Sequence, residues 1–385
     1  MSQKLDAMPI DQTSFSPRVL EIGHRSRMRH AFPDTTEFYS TAEEKEDIGP
    51  VRERHSVSLG ALPGLARRLA DPSFDLVVVY PPSNAPWSLR GLTRSLLRRS
   101  VLRGNIPFFR MFGQQMLRGR VAAPIAVVDE DDPPVIFRHH VYLLDKAMLY
   151  FKRELPTDLW RVFMGTLHSR VPTPRFRARL RNRRRIEKLR PISVGVPSDA
   201  LDRWNAQPVP ASEKKVDVFF AGRVINSTVR ERGLQEMQAL AAKGIIVDVP
   251  DRPLPMQEYL ARCARSWLIW CPEGLGWDTF RTYEAALCGS VPVISRQSIV
   301  RYEPLLDGTH AFYHDIEPGE LTRTIEAVLK DRARLLAMGE QARTHVLAHH
   351  TLAASARYIA ETTLAQANNI SSSFSSDTGL NGWPA

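Results

Sequence analysis

Between Cys271 and Ser295 the chain reads CPEGLGWDTFRTYEAALCGSVPVIS, a stretch that concentrates groups suited to an anionic ligand. Gly274 and Gly276 precede a helical pattern, so backbone N–H groups can approach an anion closely there. A helix N-terminus adds about half a positive charge. Thr279 in the first turn offers a hydroxyl donor, and Arg281, one turn in, offers a bidentate charge-assisted contact. Glu284 is open to two readings. Facing a cleft, it accepts both hydroxyls of a ribose; on an exposed face, it pairs with Arg281 at i,i+3 spacing. The glycines do not form a complete dinucleotide fingerprint, and no GxxxxGK[ST] loop occurs, which argues against a P-loop NTPase.

The elements that must position these groups are legible around them. Ser266–Cys271 is a short apolar run with aromatics, a buried strand ended by Pro272 and Gly274. Asp278 caps a helix carrying Phe280, Tyr283 and Leu287, Gly289 takes the left-handed position at its end, and Val291–Ile294 resumes a strand. Strand, crossover helix and strand make a right-handed parallel unit whose ligands sit at the carboxyl ends of the strands. Further strands are expected at Val216–Phe220 and Ile245–Val249, with helices at Val229–Ala242, Met256–Ala264, Glu317–Leu329, Arg332–His350 and Thr351–Gln366. The first half repeats the rhythm: a helix over Leu59–Leu69, strands at Phe74–Tyr80 and Ala123–Val128, helices at Leu92–Leu102 and Val141–Tyr150, and a last strand at Pro191–Pro197.

This ordered series resembles the donor-binding domain of GT-B glycosyltransferases of the group 1 and exostosin-like kind. Arg281, Glu284, Ala285, Ala286, Gly289, Pro292, Val293 and Ile294 carry the resemblance, which extends from about Val216 to Thr351. Gly222-Arg223 looks like the phosphate loop of that domain, and Arg232-Gly233 stands where the family often has Lys-Gly. The fold class implied is α/β, with two Rossmann-like domains (GT-B) facing each other across a cleft. The expected division is a peripheral, loosely ordered segment 1–50, an acceptor-side domain 51–204 and a hinge 205–215. A nucleotide-sugar domain 216–350, a helix 351–367 crossing back to the first domain and a disordered tail 368–385 follow. The nucleotide-sugar ligands implied are Gly222, Arg223, Arg232, Gly274, Gly276, Asp278, Thr279, Arg281 and Glu284. One departure stands out: many group 1 members carry a pair of Glu residues closer together than Glu273 and Glu284, so a retaining mechanism does not carry over.

Glycosyl transfer needs a base for the acceptor hydroxyl. Asp129 directly follows the Ala123–Val128 strand and is the candidate, with Asp131, Asp132, His139 and His140 nearby. The plain alternative is an acidic loop that caps a helix or stays solvated. Asp129-Glu130-Asp131 also has the Asp-x-Asp form that holds a divalent cation in GT-A enzymes. The stronger nucleotide signal lies in a separate α/β unit much later, so no metal and no cofactor are expected. Leaving-group charge falls instead to Arg223 and Arg232. A Phe151-Lys152-Arg153-Glu154 run is similar to runs in the first domain of some related transferases.

The net charge of +10 is concentrated in one place: Arg175–Arg190 carries +8, leaving +2 for the rest. This patch suits an anionic membrane surface holding a lipid-linked acceptor, a nucleic acid or an acidic glycan, or else a solvated helix. Phe176 is its one aromatic, so base stacking has little support and nucleic acid is the weaker partner. Three Cys residues form neither a disulfide framework nor a CxxC site, and no apolar run approaches a membrane span. A cytoplasmic protein, peripheral at the inner face of a membrane, is expected. Its partners would be a nucleotide-sugar donor and a glycan or lipid-linked acceptor. Two rivals remain from the sequence: a non-enzymatic basic binder on a degenerate GT-B fold, and a sugar-nucleotide epimerase of the same shape.

Overall fold

The computed structural model describes residues 15–41, 52–81, 112–137, 139–164, 180–197, 207–224 and 227–377. Contacts divide the chain into one unit of residues 1–126 with 360–385 and a second of residues 127–359.

In the first unit, β1 (Val19–Gly23), β2 (Thr36–Ser40) and β3 (Glu53–Ser56) precede α1 (Leu62–Leu69) and β4 (Leu76–Val79). All four strands are parallel, in the order β3-β2-β1-β4. The expectation that residues 1–50 are peripheral is thus corrected for their described part, 15–41, because β1 and β2 are buried throughout. Their sequences, VLEIG and TEFYS, conceal this by placing a glutamate in each run. Glu21 is tolerated at 0% exposure because its carboxyl accepts the Ser26 hydroxyl and the N–H groups of Arg27 (2.9 Å) and Met28 (3.2 Å). Burial raises its pKa.

The second unit takes over within β5 (Ile125–Asp129) and continues through α2 (Val141–Lys146), β6 (Leu149–Lys152), α3 (Leu180–Ile186) and β7 (Leu189–Pro191). The helix expected to run to Tyr150 stops early, since Leu149–Lys152 is a buried strand paired in parallel with β7. Next come β8 (Val216–Phe219), α4 (Thr228–Ala242), β9 (Val247–Asp248), α5 (Met256–Ala264) and β10 (Ser266–Cys271). Then follow α6 (Phe280–Leu287), β11 (Val291–Ser295), β12 (Phe312–His314), α7 (Glu320–Val328), α8 (Arg332–His349) and α9 (Leu352–Asp377). Helix α9 continues through residues expected to be disordered. The expected helix at Leu92–Leu102 lies outside the described residues.

Strands β8 to β12 form a parallel sheet in the order β12-β11-β10-β8-β9. Because strand side chains alternate faces, each surface builds its own core. Phe219, Ile269, Cys271 and Ile294 pack on α5 and α6, together with Ala342 and Val346 of α8. Val218, Phe220, Leu268, Trp270 and Val293 pack on α4 and α7, with Leu335 and Met338 of α8. A helix layer therefore covers both faces, as an all-parallel sheet requires. The linker ahead of β8 ends firmly: the Lys214 ammonium is buried and donates to the Ala264 and Ser266 carbonyls and the Ser290 hydroxyl at 3.0, 2.8 and 3.1 Å. All three cysteines are buried free thiols. Among the described residues, no helix is long and apolar enough to cross a membrane.

Candidate functional site

The strand order of the second sheet fixes where a ligand belongs. From β8 the chain moves outward to β9, then returns to the other side of β8 for β10. That reversal leaves a crevice outside the carboxyl ends of β8 and β10, where the following loops diverge. Ala221 and Gly222 follow β8, while Gly274 and Gly276 follow β10.

Two adjoining cavities occupy this edge. One, of about 320 Å³, is lined by Arg153, Arg230, Gly274, Gly276, Arg281 and Glu284, among others. The second, of about 430 Å³, is lined by Gly222, Arg223, Asp251, Arg252 and Leu254, and Tyr259 forms part of both walls. Arg281 reaches from α6 to the end of β8, where its guanidinium donates to the Ala221 carbonyl at 2.7 and 3.1 Å and stands 5.0 Å over the Phe220 ring. Arg230 lies in the first turn of α4, whose N-cap Ser227 accepts the Arg230 N–H at 3.3 Å. Its guanidinium ties the two loops together by donating to the carbonyls of Arg223 (2.5 Å) and Glu273 (2.9 Å). Glu284 is half-buried on the cavity wall. Burial raises its pKa, while the Tyr259 hydroxyl and Arg281 pull it back. Two guanidinium groups, two helix N-termini and a carboxylate in one crevice suit a ligand with a diphosphate and vicinal hydroxyls.

Residues 270–361 match the family model for glycosyl transferase-like proteins. No curated protein matches the chain. A glycosyltransferase from Rickettsia africae is 10% identical, over 92% of this chain and all of its own, with a TM-score of 0.51. An alpha-glucosyltransferase solved with UDP and a 13-mer DNA containing an A:G mismatch is 10% identical over 91% of this chain and all of its own, with a TM-score of 0.50. The chain has the GT-B fold.

Within this GT-B chain the expected ligands separate into two groups. Gly274, Gly276, Asp278, Thr279, Arg281 and Glu284 line the smaller cavity, and Gly222 and Arg223 line its neighbour. Glu284 and Arg281 do not form the exposed pair that the spacing also allowed; both face the crevice. Arg232 lines neither cavity and is exposed. Two residues along a helix turn a side chain by about 200°, so the same helix that presents Arg230 turns Arg232 away. Asp278 is not the helix cap, because α6 starts from Thr279 as its N-cap, without a side-chain cap bond. The Asp278 carboxyl is buried instead and accepts the Val194 N–H and the Tyr283 hydroxyl, each at 2.6 Å.

Asp129, the expected base, lines neither cavity. It is 2% exposed, and its carboxyl accepts the Tyr150 hydroxyl (2.8 Å), the Lys152 ammonium (3.0 Å) and the Asp131 N–H (3.0 Å), so both oxygens are engaged. Of the three neighbouring aspartates, Asp132 is the one that lines the smaller cavity. His139 and His140 pack on each other with ring centroids 4.0 Å apart and line neither cavity. The Glu273 carboxyl accepts the Ser295 hydroxyl at 2.9 Å. In the Arg-rich run, residues 175–179 lie outside the described residues. Arg181, Arg183 and Arg184 of α3 are exposed, and Arg185 is buried against Asp145 and Asn182.

Arg230, Tyr259, Arg153 and Glu154 were not among the expected ligands. For the last two, the Phe151–Glu154 run was the available signal; for Arg230 and Tyr259 the spacing carried none.

Proposed function

We propose that the protein transfers a glycosyl group from a nucleotide-activated sugar to a hydroxyl acceptor. The observation that carries this reading is the convergence of Arg230, Arg281 and Glu284 at the switch point between β8 and β10. In the reaction the bond between the sugar's anomeric carbon and the diphosphate oxygen breaks, and the acceptor oxygen forms the new bond to that carbon. The acceptor's proton passes to a base, and the nucleoside diphosphate leaves with its negative charge. Arg230, Arg281 and the N-termini of α4 and α6 meet that charge, and no reorganisation is needed as it develops. Glu284 accepts the ribose hydroxyls. Asp132, 38% exposed on the cavity wall, is better placed than Asp129 to take the acceptor proton. Leu275 and Phe280, 62% and 46% exposed beside the cavity, offer apolar surface to an acceptor.

The test is a panel of nucleoside diphosphates and nucleotide sugars read by thermal shift. UDP heads it, because the alpha-glucosyltransferase of similar fold was solved with UDP. Ligand at 100 times its dissociation constant is expected to stabilise the fold by about 2.7 kcal/mol. Glu284→Ala is then expected to weaken binding of the best nucleoside diphosphate by about tenfold or more in calorimetry, with the unfolding midpoint retained. Unchanged affinity removes Glu284 from the site. A nucleotide sugar converted to another nucleotide sugar without acceptor would replace transfer by epimerisation.

A further inference from the structure

The turn that carries Gly274 and Gly276 is held from below by a residue outside the glycine motif. Glu154 stands two residues beyond the end of β6 and is fully buried. Its Oε2 accepts the Trp277 N–H at 2.9 Å and its Oε1 accepts the Asp278 N–H at 3.0 Å. The approach is so close that a Cβ added at Gly276 would overlap the Glu154 carboxylate. Glycine is therefore needed here for contact with a carboxylate, in addition to any contact with an anion. The turn's other anchors are the Gln297 side chain, which donates to the Trp277 carbonyl at 2.6 Å, and the Asp278 carboxyl, which accepts from Val194 and Tyr283. Helix α6 begins two residues later, at Phe280, so the turn sets the position of its N-terminus and of Arg281 and Glu284.

We propose that Glu154 is a positioning residue for the donor site, its two oxygens fixing the Gly274–Asp278 turn and, through it, the start of α6. The inference deepens the donor-site reading and rests on it. Among the described residues, three charged groups face Glu154. Arg153 from the same strand end pairs with it at 3.3 Å and also pairs with Asp132 from the segment after β5; Asp278 comes from the turn, and Arg301 from the segment after β11. Burial outweighs the others and raises the Glu154 pKa to about 7; the Asp278 charge adds to the rise, while Arg153 and the two turn amides oppose it.

Two opposite consequences follow. A carboxyl whose folded pKa is raised contributes stability that is full below its ordinary value near 4.5 and is lost as pH rises through about 7. The clamp runs the other way, because only the ionised form offers both oxygens as acceptors. Donor affinity is therefore expected to rise with pH through about 7.

The experiment compares wild type with Glu154→Gln, which keeps size and removes the titration, and with Gly276→Ala, which crowds the carboxylate without altering charge. Nucleoside diphosphate affinity is measured by calorimetry from pH 6 to 8. Amide exchange of the peptide spanning Gly274–Phe280 is followed by mass spectrometry without nucleotide. Wild-type affinity is expected to rise severalfold over that range. Glu154→Gln is expected to have a shallower pH profile than wild type, keeping only the part due to the nucleotide's own terminal phosphate, to bind severalfold more weakly than wild type at pH 8, and to exchange the peptide at least tenfold faster; Gly276→Ala is expected to speed the same peptide. A Glu154→Gln protein with wild-type exchange, or with the wild-type pH profile, overturns the proposal. Faster exchange in a protein that binds no nucleotide in any form refutes the donor-site reading and leaves the clamp standing.

Discussion

Replacing Arg230 by alanine is expected to lower affinity for a nucleoside diphosphate by about 10- to 100-fold, while Arg232→Ala changes it by less than about twofold. A hydrogen bond to a charged group contributes about 1.5–3 kcal/mol, which sets the first figure. The second follows from the exposed position of Arg232, outside both cavities, where a surface charge two residues away is screened by solvent. The contrast discriminates well because both residues lie on α4 and carry the same charge. Any general effect of lowering the net charge of +10 would weaken both variants alike. Calorimetry at two salt concentrations checks this. Equal losses in the two variants would assign the effect to the overall field and remove Arg230 from the site.

The largest effect on stability is expected at Gly233, on the face of α4 that packs against the sheet. A Cβ built there would overlap the Trp270 indole at Cη2 and Cζ2. Trp270 cannot retreat: it is fully buried, packs on Phe220 at 4.7 Å between ring centroids, and donates its indole N–H to His314 Nε2 at 3.2 Å. Gly→Ala inside a helix ordinarily stabilises by about 1 kcal/mol. Overpacking a well-filled core costs about 1–3 kcal/mol or more, so the clash decides the sign. Gly233→Ala is expected to lower the urea midpoint, and Gly233→Val to lower it further. Gly64→Ala in α1 is the internal control. A Cβ there has the Tyr39 hydroxyl at 3.9 Å as its nearest neighbour, so helix propensity is unopposed and the midpoint should rise. A neutral Gly233→Ala would mean that α4 shifts outward at little cost.

Much of the second sheet was legible because its strands are continuous apolar runs and its helices carry capping and stop signals. Met256–Ala264 and Ser266–Cys271 occur with the expected bounds, and Gly289 adopts the expected left-handed φ of 68°. Less of the first half was legible, and the reason is chemical. Glu21 in β1 and Lys152 in β6 are fully buried charged residues, each satisfied by partners distant in sequence or supplied by loops. A pattern rule that places charge outside misreads such strands.

The sequence by itself determined the α/β rhythm, the glycine turn before α6, and the placing of Arg281 and Glu284 one turn apart, because these follow from local periodicity and backbone chemistry. Tertiary structure decided what each charged group does. It turned Arg230 inward and Arg232 outward through the phase of α4, and engaged both oxygens of Asp129 with Tyr150, Lys152 and Asp131. It also set Glu154 under a turn more than 120 positions later in the chain. A side chain's role depends on which distant partners share its low-dielectric surroundings, and spacing along one chain does not contain that information.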